Sequence, residues 1–136
     1  MQIFRRILFL CLTLAAATLP ALRALADDEF IVYSVYKPLS LGDPGEVSVK
    51  DYFINMGTKD GIHNGSVVEV VRRTSTYDLT SQKLYKDVSF PIAKLKVIHA
   101  EPNAAIARLS EIFSPEKTPA ILPRAVMVGD LVKNGE

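Results

Sequence analysis

Along most of this chain apolar and polar residues alternate with a period of two. Phe30 to Tyr36 (FIVYSVY) is β-branched and aromatic, the composition of a strand. Val47 to Met56 (VSVKDYFINM) alternates, and Ser66 to Arg72 (SVVEVVR) is a valine-rich run. In Ile92 to His99 (IAKLKVIH), Lys94 and Lys96 face one way and Leu95 and Val97 the other, because successive strand side chains point to opposite faces. Asn103 to Leu109 (NAAIARL) and Ala125 to Lys133 (AVMVGDLVK) complete a predicted set of about six strands. No window carries the apolar spacing of a long amphipathic helix. Leu109 to Phe113 is long enough for one helical turn.

Turn residues punctuate these runs. Gly42-Asp43-Pro44-Gly45 follows the first strand, Asp60-Gly61 and Asn64-Gly65 precede the third, and Glu101-Pro102-Asn103 joins the fourth to the fifth as a hairpin. Two connections are longer. Thr74 to Phe90 is polar with Tyr77, Leu79, Leu84 and Tyr85 interspersed, and reads as a protruding hairpin or binding loop. Ser114 to Pro123 holds three prolines and is expected to be extended and irregular. Short strands without helical crossovers imply an antiparallel sheet. At this size the expected fold is all-β, a small closed or half-closed barrel, because closure removes exposed edges.

The chain's start changes the domain picture. Arg5 and Arg6, the apolar run from Ile7 to Leu19, and Ala24-Leu25-Ala26 have the three parts of a secretory signal, with cleavage expected after Ala26. The apolar run is shorter than the ~20 residues a spanning helix needs. Cys11 lacks the small preceding residue of a lipoprotein signal. The expected organisation is a signal peptide over 1–26, an N-terminal strand and linker over 27–49, and the barrel over 50–136. The membrane is then met only through the transient signal.

Composition narrows the function classes. Cys11 is the chain's one cysteine and leaves with the signal. The mature chain then has no disulfide, no cysteine-ligated zinc and no thiol nucleophile. Export without disulfides suits a bacterial periplasm. The signal removes three of sixteen cations, leaving thirteen against fifteen carboxylates, a net of about −2. Such a balance carries no electrostatic footprint for nucleic acid.

Candidate chemistry is sparse. The three glycines of NMGTKDGIHNGSVVEVVRR (Gly57, Gly61, Gly65) invite comparison with a phosphate loop, but Gly61 and Gly65 are one residue too close. Ser66 stands where that loop needs lysine, and a valine strand follows in place of a helix. Glycine, and less readily Asn and Asp, tolerate positive φ, so the stretch is read as back-to-back tight turns, with Gly129 as a further turn glycine. His63 and His99 are too few for a structural metal site. No serine sits in a nucleophile elbow, and no carboxylate pair has apolar surroundings to shift its pKa. Neither an enzyme nor a cofactor is expected. Lys94 and Lys96, with Arg72 and Arg108 near them, form a basic face suited to an anionic polymer or acidic partner, or simply a solvated one.

One pattern gathers these features. Asn55, Gly57, Gly61, Gly65-Ser66, Glu69-Val70 and Arg72 begin it. Pro91-Ile92-Ala93, Leu95, Val97-Ile98 and Ala104 to Leu109 (AAIARL) continue it, and Val128-Gly129-Asp130 with Val132 end it. The pattern, from about Tyr52 to Lys133, resembles the C-terminal domain of the bacterial flagellar assembly protein T family. The resemblance implies a small β-barrel and a periplasmic place in a ring around the flagellar basal body. That family has two further domains ahead of this one, whereas only Asp27 to Val49 precede it here, and Thr74–Phe90 is an addition to its pattern.

The sequence therefore predicts a non-catalytic periplasmic module that docks onto a protein assembly of the bacterial envelope. Its candidate partner-binding residues are Tyr77, Leu79, Leu84, Tyr85, Lys94, Lys96 and Arg108. The alternative is a cell-wall or surface glycan binder, with Tyr33, Tyr36, Tyr52 and Phe53 as a stacking platform.

Overall fold

The computed structural model describes residues 29–39, 41–42, 45, 48–120 and 122–135. The predicted signal and its cleavage site lie outside them. Six strands form one antiparallel sheet: β1 (Val32–Tyr36), β2 (Asp51–Ile54), β3 (Val67–Asp78), β4 (Lys83–Ala100), β5 (Ala105–Ile112) and β6 (Leu131–Asn134). Their spatial order is β1-β2-β5-β4-β3-β6. The sheet curls until its edge strands meet. Ile31 and Leu131 form a single bridge, flanked by Val32 N–H to Asp130 C=O (2.9 Å), Gly129 N–H to Val32 C=O (2.8 Å) and Val132 N–H to Phe30 C=O (2.7 Å). The contact does not grow into a ladder, so the architecture is a half-closed barrel. β1 belongs to the same sheet as the strands after Lys50, through its pairing with β2.

Alternation decides what goes inside. Val32, Ile54, Val68, Val70, Leu95, Val97 and Ala107 are fully buried, and Tyr52, Ala105 and Val132 nearly so. Met56 and Ile62 join them from the turn region after β2. Burying each aliphatic side chain of this size contributes about 1.5–3 kcal/mol.

The glycine-rich stretch builds one end of the barrel. A 3-10 turn at Thr58–Asp60 sits on the β4–β5 hairpin, with Thr58 N–H donating to Glu101 C=O (2.9 Å) and Lys59 N–H to Pro102 C=O (3.2 Å). Gly57 has an extended φ of −134°, and its role is proximity. A Cβ there would lie 2.4 Å from the carbonyl oxygens of Glu101 and Pro102. Gly61 and Gly65 are the turn glycines, both at φ +89°, where an L side chain costs about 1–2 kcal/mol.

Two expectations change and one alternative is decided. Leu109 to Phe113 makes no helical turn: β5 runs on to Ile112 because β4 offers it a ladder, Ala93 opposite Ile112 and Lys94 opposite Glu111. The last strand covers only Leu131–Asn134, since the backbone from Ala125 to Gly129 is drawn into contacts with Arg72, Asp130 and β1. Of the two readings of Thr74–Phe90, the protruding hairpin holds: the segment continues β3 and β4, paired as far as Asp78 opposite Lys83.

Candidate functional site

The continuation of β3 and β4 forms a two-stranded arm. On the barrel, β3 is flanked by β6 from Val68 to Val71, and β4 by β5 from Ala93 to Ala100. Past these limits the two strands pair only with each other among the described residues. Thr74, Thr76 and Tyr77 on β3, and Tyr85 and Val88 on β4, are strand-forming residues, so the ribbon persists without a core. Residues 79–82 make the tip. There the Asp78 carboxylate accepts the Thr80 N–H (2.8 Å) and the Ser81 hydroxyl. Those bonds, the Ser81 hydroxyl first, hold its pKa below the usual carboxylate range.

The arm displays the apolar residues singled out from the sequence. Leu79 is 84% exposed at the tip, and Tyr77, Leu84 and Tyr85 are each about half exposed. Register divides them. Paired residues share a face and neighbours alternate. Tyr77 and Leu84 are opposite each other on one face, while Tyr85 lies opposite Thr76 on the other. The expected cluster is therefore a ribbon with apolar groups on both sides. At its root lies a groove of about 340 Å³ lined by Arg73, Thr74, Ser75, Leu84, Lys86 and Asp87.

The predicted basic face lies apart from the arm, on the barrel wall, and it is not uniformly basic. Lys94 stands between Glu69 and Glu111 in the ladder, its ammonium 5.6 Å from the Phe113 ring centroid. Lys96 lies between Val67 and Arg108. The Arg108 guanidinium donates to Asp51 at 2.7 Å, which raises its pKa further. Carboxylates flank Lys94 on both sides and Asp51 sits beside Arg108, while Lys96 and Arg108 are like charges directly opposed, so the strip is mixed in charge, as a solvated sheet face is.

Arg72 is not on that strip at all. It turns inward and its guanidinium grips the Asp130 carboxylate twice, Nε to Oδ1 at 2.8 Å and Nη2 to Oδ2 at 2.7 Å. It also donates to the carbonyls of Ala125 (2.8 Å) and Pro123. Asp130 accepts the Met127 N–H at 2.7 Å as well. The hydrogen bond to Asp130 raises the Arg72 pKa. Both residues are over nine-tenths buried, so this is an anchor: it fastens the proline-rich connection across the end of the barrel.

The aromatic platform is also divided. Tyr52 is buried in the core, and burial raises its phenol pKa. Tyr33 and Phe53 remain together on the outside, ring centroids 6.2 Å apart and tilted at 58°, with Tyr36 exposed farther along β1. His63 is exposed in its turn, and His99 is exposed with Nε2 2.9 Å from Glu101. Among the described residues no three His, Cys, Asp or Glu side chains gather as metal ligands would.

Sequence reasoning missed Arg73, Lys86 and Asp87, which line the groove. It also missed a second cavity of about 300 Å³ at the barrel end, lined by Val49, Tyr52, Leu109, Ile112, Ala125 and Val126 among others. The signal for the groove was the Arg72-Arg73 pair, where inward and outward fates diverge at adjacent positions. The second cavity brings together residues far apart in the chain and left no local trace.

No family model, curated protein or solved structure matches this chain.

Proposed function

We propose that this chain is a non-catalytic interaction module of the bacterial periplasm that docks onto a larger envelope assembly through the β3–β4 arm. The observation that carries the reading is the arm itself. It continues two barrel strands past their last flanking neighbours and exposes Tyr77, Leu79, Leu84 and Tyr85 on a surface that contributes nothing to the core. A small barrel with an ordered projection suits docking, because the core supplies rigidity and the projection supplies contact area. The signal-like start supports export, and the resemblance to the flagellar assembly protein T domain makes a basal-body ring one assembly of the right kind.

Site-specific photocrosslinking in a cell that expresses the chain tests this. A photoreactive residue at Tyr77 or Tyr85 is expected to give a discrete adduct with one envelope protein, and one at Asn64, at the glycine turn, is expected to give none. Equal labelling from all three positions would remove the arm as the docking surface.

A further inference from the structure

The arm has two outer edges, and they are not alike. Among the described residues no strand lies beyond either of them, so each presents backbone N–H and C=O groups to a further strand. The β4 edge is blunted repeatedly. Lys83 and Lys86 are exposed on it, and Pro91 has no N–H to give. Between them Lys86 and Asp87 bulge opposite the single residue Ser75, with Asp87 at φ 60°. The β3 edge from Arg73 to Asp78 (RTSTYD) has none of these. It contains no proline and no lysine, the extra residue of the bulge belongs to its partner, and Thr74, Thr76 and Tyr77 all favour extended backbone.

The chemistry beside this open edge defines the occupant further. Arg73, Ser75 and Tyr77 share a face with Leu84, above the groove at the arm's root. Arg73 contacts Glu29 and Asp87 through exposed ion pairs, which are weak and exchangeable. Lys86, on the groove wall, has no ion-pair partner among the described residues. A strand laid along β3 thus meets Arg73 at one end, where an added carboxylate can exchange with Glu29 or Asp87, and Tyr77 with Leu84 behind it at the other.

We propose that the β3 edge of the arm, Arg73–Asp78, takes one extended strand of a partner protein into the sheet, and that this strand carries an acidic residue beside Arg73 and an apolar residue beside Tyr77. The proposal deepens the docking function above and rests on it. Main-chain bonds supply the attachment, and the two side-chain positions supply the selection. A second copy of this chain fits poorly. A twofold axis between antiparallel strands must pass through a residue pair of like facing, so the indices of opposed residues sum to an even number. The favourable match of Arg73 with Asp78 has an odd sum and is closed to a symmetric pair. The even registers set Arg73 against Ser75 or Tyr77, or Tyr77 against Ser75 or itself, and none gives Arg73 a carboxylate.

The test uses the mature chain labelled with ¹⁵N and a capped seven-residue peptide, TVTTVET. Laid antiparallel with its glutamate opposite Arg73, it puts its first valine opposite Tyr77. Amide shifts are expected to move along Arg73–Asp78 and to saturate, with those of the β4 edge from Lys83 to Ser89 moving far less. Alternate N-methylation of the peptide backbone is expected to abolish the effect. Replacing the glutamate by lysine is expected to weaken binding about tenfold, and Arg73→Glu is expected to restore the lysine peptide. Equal shifts on both edges, indifference to N-methylation, no binding at millimolar peptide, or shifts that grow with protein concentration alone would each overturn the proposal. If crosslinks at Tyr77 and Tyr85 persist while the peptide fails, docking stands and strand addition does not.

Discussion

β3 and β4 pass through two environments without a break in their pairing, and the contrast between the halves explains the molecule. On the barrel, Val67–Val71 and Ala93–Ala100 are flanked by further strands and send Val68, Val70, Leu95 and Val97 into the core. On the arm, the same strands have only each other and almost every side chain meets water. A two-stranded ribbon is marginal in water, so the arm inherits its order from the barrel that roots it. The boundary falls between adjacent arginines. Arg72 is buried in a bidentate pair with Asp130, while Arg73 makes exposed contacts with Glu29 and Asp87. Hydrogen-bonded pairing is common to both halves. What differs is what the side chains have to bury, and that assigns one half to stability and the other to contact.

The largest effect is expected at the boundary. Asp130→Ala leaves the Arg72 guanidinium buried without its counter-charge and the Met127 N–H without its acceptor. Removing one partner of such a pair costs about 3–5 kcal/mol, against the 5–15 kcal/mol that holds a typical domain together. Urea denaturation followed by circular dichroism is expected to show the loss. Arg73→Ala, one residue past Arg72, is expected to leave the midpoint where it is. An equal fall in both variants would erase the boundary.

The same strand offers a second comparison. Leu95→Ala removes a fully buried side chain and is expected to cost about 2–5 kcal/mol. Leu84→Ala, on the arm, is expected to stay within about 0.5 kcal/mol of wild type. It is expected to weaken the crosslink from Tyr77, its cross-strand neighbour. Stability and docking should thus be lost by different substitutions in one continuous strand.

This division bears on what could be read from the sequence. The barrel strands were legible because burying one face enforces the alternation seen in Ile92–His99. The arm was read as a protruding hairpin or a binding loop from a polar stretch with scattered aromatics, but its register and faces were not legible, since a ribbon wet on both faces needs no alternation. Arg72 was misplaced on the basic face because its sequence neighbourhood says nothing of Asp130, 58 residues away. The platform lost Tyr52 for a related reason: Tyr52 and Phe53 are adjacent, so a strand must send one of them inward. The glycines were read as alike, yet Gly57 serves close approach while Gly61 and Gly65 serve positive φ. Gly57→Ala is therefore expected to cost about 3 kcal/mol, as overpacking against backbone does, and Gly61→Ala about 1 kcal/mol. Equal losses at the two sites would mean that the seat on the β4–β5 hairpin is not what fixes this turn.

The smallest effect is expected at the tip, farthest from the core. Asp78 has its pKa lowered by the Ser81 hydroxyl, then by the backbone N–H groups of Thr80 and Ser81. A carboxylate with a depressed folded pKa favours its ordered state above the unfolded value of about 3.9, and loses that contribution as pH falls through the folded value. The tip should therefore loosen only below about pH 4, where protonation takes away the charge that strengthens the bonds from both N–H groups. Hydrogen exchange at Thr80 is expected to quicken there beyond its intrinsic acid trend, while amides of Val68 and Leu95 keep their protection. If the barrel amides lose protection together with Thr80, tip and core open as one unit, and the arm is not the separable element on which the docking reading depends. If Thr80 alone responds, the tip can reorganise around a partner while the sheet that anchors it stays fixed.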